Sequence, residues 1–148
     1  MNAPEPTVFG FSIRGKVDAD HAADTVTRRS RTCFLIYINC ALLYWFSKKH
    51  ASVESSSLGS EFVAMKHCCG YIRGLRYKFR MMGIPVEGPA YIEGNNHSVL
   101  VNTTIPDSTL KKKIQSIAYH FVREGTARGE WRTTYVNIHE NEADLLTK

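Results

Sequence analysis

The chain lacks the marks of every extreme class of protein. It has only four cysteines in 148 residues, Cys33, Cys40, Cys68 and Cys69. That is too few for a disulfide-stapled scaffold, and the adjacent pair beside His67 matches no usual zinc-ligand spacing. Free thiols in a reducing compartment follow. The first thirty residues hold no apolar core of signal-peptide length, so no secretory leader is read there. The most apolar run, Cys33 to Phe46, is fourteen residues interrupted by Asn39, short of the roughly 20 that a membrane helix needs. Five prolines and ten glycines show no period or low-complexity tract, which excludes collagen-like and linker classes. The missing signal and membrane segments lead to an expected place in the cytoplasm or nucleus, away from membranes, and the chain is expected to be a monomer.

What is present is ordinary globular composition, 43% hydrophobic and 22% charged, in a length that supports one domain with a real core. Lys plus Arg number 19 against 14 Asp plus Glu, a net +5, a mild lean toward polyanions. Residues 1–8 read as a leader, and 9–148 as the domain. From Val8 to Asp18, Phe9, Phe11, Ile13 and Val17 fall on one face at period two, a strand signal. Thr32–Ile38 and Leu42–Ser47, rich in β-branched and aromatic residues, read as a buried antiparallel hairpin, with Trp45 and Tyr44 in the core. From about Ser57 the period changes. Phe62, Met65, Cys69, Ile72, Leu75 and Phe79 recur at helical spacing up to Gly83, with Pro85 behind. Ala90–Glu93 reads as a fourth strand, Asn96–Asn102 as a short helix, and Leu110, Ile114, Ile117 and Phe121 as the apolar face of a second helix ending near Gly125. Glu130–Asn137 alternates as a fifth strand, and Glu142–Lys148 begins a helix cut short. Three strands, helix, strand, helix, strand, helix predicts a mixed sheet covered by helices.

Three acids fall on three separate elements. Asp18 ends the first strand, Glu61 lies in the first turn of the long helix, and Asp144 lies in the terminal segment. Elements packed on one sheet can bring such groups together, and oxygen ligands converging from rigid elements suit hard divalent cations. On spacing alone, three solvated acids among fourteen remain the simpler reading.

The local strings add more. Val17-Asp18-Ala19-Asp20-His21-Ala22, Arg28-Arg29-Ser30, Trp45-Phe46-Ser47-Lys48-Lys49, Ser60-Glu61-Phe62-Val63-Ala64, Tyr119-His120-Phe121-Val122-Arg123-Glu124 and Ala143-Asp144-Leu145-Leu146-Thr147-Lys148 occur in this order. Together they resemble the ribonuclease H domain of copia-type retrotransposon Pol polyproteins, over roughly Val17 to Lys148. The resemblance implies the ribonuclease H-like α/β fold, a five-stranded mixed sheet flanked by helices, with the first three strands antiparallel and the fourth and fifth parallel. It implies hydrolysis of the RNA strand of RNA/DNA hybrids by two Mg²⁺ (or Mn²⁺) ions, in the company of a reverse transcriptase segment. It also implies metal-binding roles for Asp18, Glu61 and Asp144.

One position departs. Tyr91-Ile92-Glu93-Gly94-Asn95-Asn96 puts Asn95 where the family carries its fourth metal-binding Asp. An amide oxygen can touch a metal but brings no charge, so catalysis is expected to be strongly impaired, and a nucleic-acid-binding module without catalysis is the alternative. Glu93 points to the same side of its strand as Asn95 and is a possible substitute acid. Asp20 and Asp24 read as loop and capping residues. Ala23 and Cys33 stand where relatives usually carry Gly.

The basic residues form three groups: Arg28, Arg29 and Arg31 before the hairpin, Arg73 to Arg80 on the long helix, and Lys111, Lys112 and Lys113 opening the later helix. A hybrid is read through phosphates, 2'-hydroxyls and groove shape, so dispersed cations suffice if they share a face with the acids. Of these, Arg28, Arg29, Arg73, Lys111 and Lys112 are the candidate nucleic-acid contacts. His120 reads as a partly buried, satisfied histidine, and His67-Cys68-Cys69 as helix core with one exposed neighbour.

Overall fold

In the computed structural model, which describes residues 10–22, 24–51, 53, 56–99 and 116–147, β1 (Ile13–Asp20) is the middle strand of the sheet. β2 (Arg31–Ile38) and β3 (Ala41–Lys49) follow, then α1 (Ser57–Met81), β4 (Ala90–Gly94), α2 (Ser116–Ala127) and β5 (Trp131–Tyr135). Two short 3-10 segments, Ile138–Glu140 and Glu142–Leu146, complete the described chain. The strand order is β3-β2-β1-β4-β5. β1 runs antiparallel to β2, with Asp18 opposite Cys33, and parallel to β4, with Val17 opposite Gly94. β2 and β3 pair antiparallel, and β4 and β5 parallel. This is the expected mixed sheet. The leader read over 1–8, Phe9, Ala23, Leu110, Lys111, Lys112, Lys113 and Ile114 lie outside the described residues.

The alternation of β1 determines which group lies where. Ile13, Gly15 and Val17 turn toward α1, and a Cβ built on Gly15 would lie 2.7 Å from the Sγ of Cys68. Glycine at 15 therefore lets the helix seat against the strand, and Cys68 and Cys69 are fully buried there while His67 is exposed, as read. The other face of β1 carries Lys16 and Asp18 and is covered by the 3-10 segment Glu142–Leu146. α1 begins at Ser56, whose hydroxyl accepts from Gly59 N at 3.2 Å. It ends where Gly83 takes φ +70 and Ile84 N–H closes back on the Phe79 carbonyl at 2.8 Å, a glycine-dependent helix stop. Asn96 accepts from Ser98 N and Val99 N and so caps the helical turn at 97–99, the start of the expected short helix.

Four expectations are corrected. β3 is an edge strand, so only the β2 half of the hairpin is buried, and Trp45 is 64% exposed rather than core. Tyr44 does pack inward, stacked on Tyr71 with ring centres 4.3 Å apart. On α2 the buried face is Ala118, Tyr119, Val122 and Gly125, while Ile117 is 74% exposed. The phase is set by Trp131, whose indole lies over Gly125 and donates to the Val122 carbonyl at 3.0 Å. His120 on the same helix is exposed. The terminal segment Glu142–Leu146 is a 3-10 helix, not an α-helix. Among the described residues, no helix is long and apolar enough to cross a membrane.

Gly125 gives a direct test of this packing. A Cβ there would fall 1.9 Å from a ring carbon of Trp131, so Gly125→Ala is expected to destabilise by about 3 kcal/mol through overpacking. Gly70→Ala, in mid-helix with nothing within 4 Å of the added carbon, is expected to stabilise by about 0.5–1 kcal/mol. Urea unfolding midpoints of the two variants check both signs.

Candidate active site

β1 and β4 lie side by side, and the chain leaves both at the same edge of the sheet because they are parallel. Asp18 stands near the exit of β1 and Asn95 follows the last residue of β4. α1 starts at this end, which brings in Glu61, the fifth residue of the helix and so just past the first turn in which the sequence placed it. Asp144 arrives on the 3-10 segment that crosses the far face of β1. Asp18, Glu61, Asn95 and Asp144 therefore line one cleft of about 330 Å³, together with Asp20, Ile138 and Thr147. The four site positions expected from the sequence do meet.

Asp18 is the buried member, 5% exposed. One carboxylate oxygen accepts from Asn95 Nδ2 at 3.3 Å, the other from Thr147 Oγ1 at 3.1 Å. Burial raises its pKa and the nearby charge of Asp144 adds to this, against the lowering effect of the Thr147, Ala19 and Asn95 donors. Glu61 is pushed up to about 8, first by burial and then by the charge of Asp18, with the Ala19 N–H opposing. Carboxyls raised by burial and by a neighbouring carboxylate, Asp18 by Asp144 and Glu61 by Asp18, mark a place where positive charge is stabilising. Oxygen donors from Asp18, Glu61, Asp144 and the Asn95 amide suit a hard divalent cation that keeps waters and takes substrate oxygens. Among the described residues, no three acid, histidine or cysteine side chains stand close enough together to hold a metal ion by themselves.

The 3-10 segment is fixed to β1 by groups that the sequence reading left without a role. Asn141 is buried, donates through Nδ2 to the Val17 carbonyl at 2.9 Å and caps the segment by accepting from Ala143 N at 3.2 Å. Thr147 Oγ1 lies 2.7 Å from the Asp144 carbonyl as well as reaching Asp18. The signals were an Asn directly before the segment, an N-cap type, and a hydroxyl three residues after the last acid. Lys16 ties down the same segment through Glu142 at 3.2 Å, and Tyr37 donates to the other Glu142 oxygen.

The remaining candidates are placed differently. Glu93 faces Arg14 at 3.5 Å and Lys16 at 4.0 Å and is not among the residues lining the cleft, so the cations of β1 that approach the site are partnered by this acid. Asp20 lines the cleft, whereas Asp24 is the capping residue expected. It accepts from Val26 N and Thr27 N and pairs with Lys49 at 2.5 Å. Arg28 and Arg29 are exposed on the loop leaving β1, hence at the acidic end. Ser30 holds that loop down, accepting from Ala22 N at 3.1 Å and bonding Ser60 at 2.8 Å, with His21 also on Ser60 at 3.0 Å. Arg73 does not join them. It lies twelve residues beyond Glu61, about 18 Å along the helix, donates from Nε to Glu130 at 2.7 Å and stacks on Phe121 and Trp131.

No family model matches the chain. Among curated proteins it is 27% identical over 138 residues to the Pol polyprotein of transposon RE2 of Arabidopsis thaliana, covering 93% of this chain and 10% of that one. It is 26% identical over 144 residues to the Pol polyprotein of transposon TNT 1-94 of Nicotiana tabacum, covering 95% and 11%. Its homologues are retrotransposon Pol polyproteins. The chain spans about a tenth of the length of the curated relatives it matches.

Among solved structures, LC11-RNase H1, isolated from compost by a metagenomic approach and solved in complex with an RNA/DNA hybrid, superposes with TM-score 0.70 at 12% identity, over 91% of this chain and 93% of that one. RNase H1 of the archaeon Halobacterium salinarum gives 0.66 at 12%, over 91% and 93%. The prototype foamy virus protease-reverse transcriptase gives 0.59 at 11%, over 99% of this chain and 21% of that one. The fold is that of ribonuclease H.

The raised Glu61 pKa fixes a pH dependence for the cation-free protein. Unfolded Glu61 releases its proton near 4.5 while folded Glu61 holds it to about 8. Over that window the native state binds more protons than the unfolded one, so stability falls as pH rises and levels off above it. Glu61→Gln is expected to flatten the decline. Melting temperatures from pH 4 to pH 9 in the presence of a chelator, which cover that window, check this, and identical slopes for the two proteins would refute it.

Proposed function

We propose that the chain is the ribonuclease H domain of a retrotransposon Pol polyprotein, built to hydrolyse the RNA strand of RNA/DNA hybrids and strongly impaired in doing so by Asn95. The observation that carries this reading is the hydrogen bond from Asn95 Nδ2 to Asp18 Oδ1, 3.3 Å, at the centre of a cleft that retains Asp18, Glu61 and Asp144. Two Mg²⁺ or Mn²⁺ ions held among these groups would supply an activated water and stabilise the charge that develops on the phosphodiester.

The chain's own part is to orient. Asn141 and Thr147 hold Asp144 over Asp18, and the Ser30–Ser60–His21 cluster fixes the loop carrying Arg28 and Arg29 beside the cleft. Those arginines, with Lys111 and Lys112, take phosphates of the duplex, a sequence-independent contact. Asn95 changes this end in two ways. It removes one negative charge from the site, and its amide hydrogen is directed at a carboxylate oxygen of Asp18. By analogy with deleting one electrostatic group from a catalytic centre, the cost is about 100-fold or more in rate.

A second reading, a hybrid-binding module without cleavage, is favoured by one further observation: protein donors, Asn95 and Thr147, meet both oxygens of Asp18. Cleavage of an end-labelled RNA/DNA hybrid in Mg²⁺ and in Mn²⁺ separates the two. Asn95→Asp is expected to cut about 100-fold faster or more than the unmodified protein, and adding Glu61→Gln to Asn95→Asp is expected to silence it. Equal rates for the unmodified protein and Asn95→Asp would clear Asn95 of blame. Hybrid binding by folded proteins with no cleavage in any of the three would favour the binding module.

A further inference from the structure

At the opposite end of α1 the molecule has a second concave surface that the acidic cleft does not use. Arg73, Arg76 and Arg80 recur at three and four residues and so share one face of the helix. With Tyr77 between them they form one wall of a cleft of about 550 Å³, whose other wall is the turn at 83–86. Arg76 lies fifteen residues from Glu61, about 22 Å along the helix axis. This is a separate place on the protein.

The charge in this cleft is lopsided. Its lining contains one acid, Glu130, which accepts from Arg73 Nε at 2.7 Å and has Arg128 at 3.9 Å. Arg76 donates to the Gly88 carbonyl at 2.8 Å, which orients the guanidinium without neutralising it. Arg80 is exposed, and among the described residues it makes no ion pair. Arg73 Nη2 is buried with no hydrogen-bond acceptor. Cations in the last helical turn complement the helix dipole, which accounts for Lys78 and Arg80 but not for a concave row reaching back to Arg73. Tyr77 is 64% exposed between the two outer arginines, and Met81 and Met82 continue the open surface at 69% and 62%.

We propose that this cleft is a second nucleic-acid contact, in which Arg76 and Arg80 hold phosphates of a single strand while a base stacks on Tyr77. Alternating guanidinium groups and an open aromatic face are what sequence-tolerant strand binding uses, since every base has a π-face and the phosphates supply the anions. An acidic peptide would satisfy the arginines but leave the ring of Tyr77 without a flat partner. The site does not depend on the competence of the acidic cleft, because neither shares a side chain with the other.

The test uses the full chain and a fluorescent oligo(dT) single strand of about ten nucleotides, followed by anisotropy across a salt series without divalent cation. Arg76→Gln with Arg80→Gln is expected to weaken binding at least about tenfold at low salt and to lower the log–log salt slope by about 1.4, two phosphate contacts at ~0.7 each. Tyr77→Ala is expected to cost about tenfold with the slope unchanged. Arg80→Gln alone, a change at an exposed side chain, is expected to lower the slope by about 0.7 and guards against a fold defect in the double variant. Wild-type affinity and slope in all of these variants would overturn the proposal. So would losses confined to Arg28→Gln with Arg29→Gln, which would place the strand at the acidic end. Displacement of the strand by a poly-glutamate peptide whose own binding ignores Tyr77→Ala would transfer the cleft to an acidic protein partner. Cleavage by Asn95→Asp reads the other end of the molecule, so neither experiment decides the other.

Discussion

The carboxylate of Asp18 is buried in the middle of the sheet's exit, and most of the architecture around it compensates that one charge. A buried carboxylate without partners is strongly disfavoured. Here it is met by Thr147 on one oxygen and Asn95 on the other. Each donor arrives from a different part of the chain, and each arrival requires its own anchoring. β4 must run parallel to β1 for the residue after it to reach Asp18, and that is the pairing observed, Val17 beside Gly94. The 3-10 segment must lie against β1 for Thr147 to reach, and the buried amide of Asn141 on the Val17 carbonyl holds it there. The geometry of the candidate site is in this sense the geometry of satisfying Asp18.

α1 links this end to the rest of the molecule. Its apolar face, running from Phe62 through Cys68, Cys69 and Ile72 to Phe79, packs on the sheet, and at Gly15 the approach leaves no room for a side chain. The N-terminal end, with the positive pole of the helix dipole, lies at the acid cluster, and the C-terminal end carries Lys78 and Arg80 in its last turn. Both arrangements agree with the dipole. Packing and electrostatics thus orient the same rod in the same direction.

Periodicity made the long elements legible, whereas the simpler reading of Asp18 as a solvated acid fails, since it is buried. α1 could be read from its apolar repeat and its stop at Gly83, and the antiparallel start from the aromatic and β-branched runs. What failed were inferences of burial from local pattern. Trp45 and Ile117 are apolar within apolar runs, yet both face outward, because β3 is an edge strand and because Trp131 lying over Gly125 sets the rotation of α2. Both causes are non-local. The acid cluster was legible only as three residues on three elements. That Asp18, Glu61 and Asp144 meet follows from the strand order β3-β2-β1-β4-β5, which no spacing along the chain encodes. Glu93 and Arg73 show the converse. Their residue types invited a functional role, and the structure adds ion pairs that no spacing announced, with Arg14 and Lys16 for the first and Glu130 for the second.

The same accounting explains why an amide at position 95 suits the fold. With an Asp at position 95, the exit of the sheet would hold one more carboxyl beside Asp18, Glu61 and Asp144, and the repulsion among the ionised ones would fall on the cation-free protein. The amide reverses the sign of that contact, because its nitrogen donates where a carboxylate oxygen would repel. Under the proposed reading, function and stability pull in opposite directions at this position, as they do wherever a site is built from groups that are only comfortable with a ligand. An amide at this position therefore carries no charge and adds a hydrogen bond to the buried Asp18 carboxylate. The rest of the acidic end, including the Asn141 clamp and the pinned arginine loop, then has no structural reason to change.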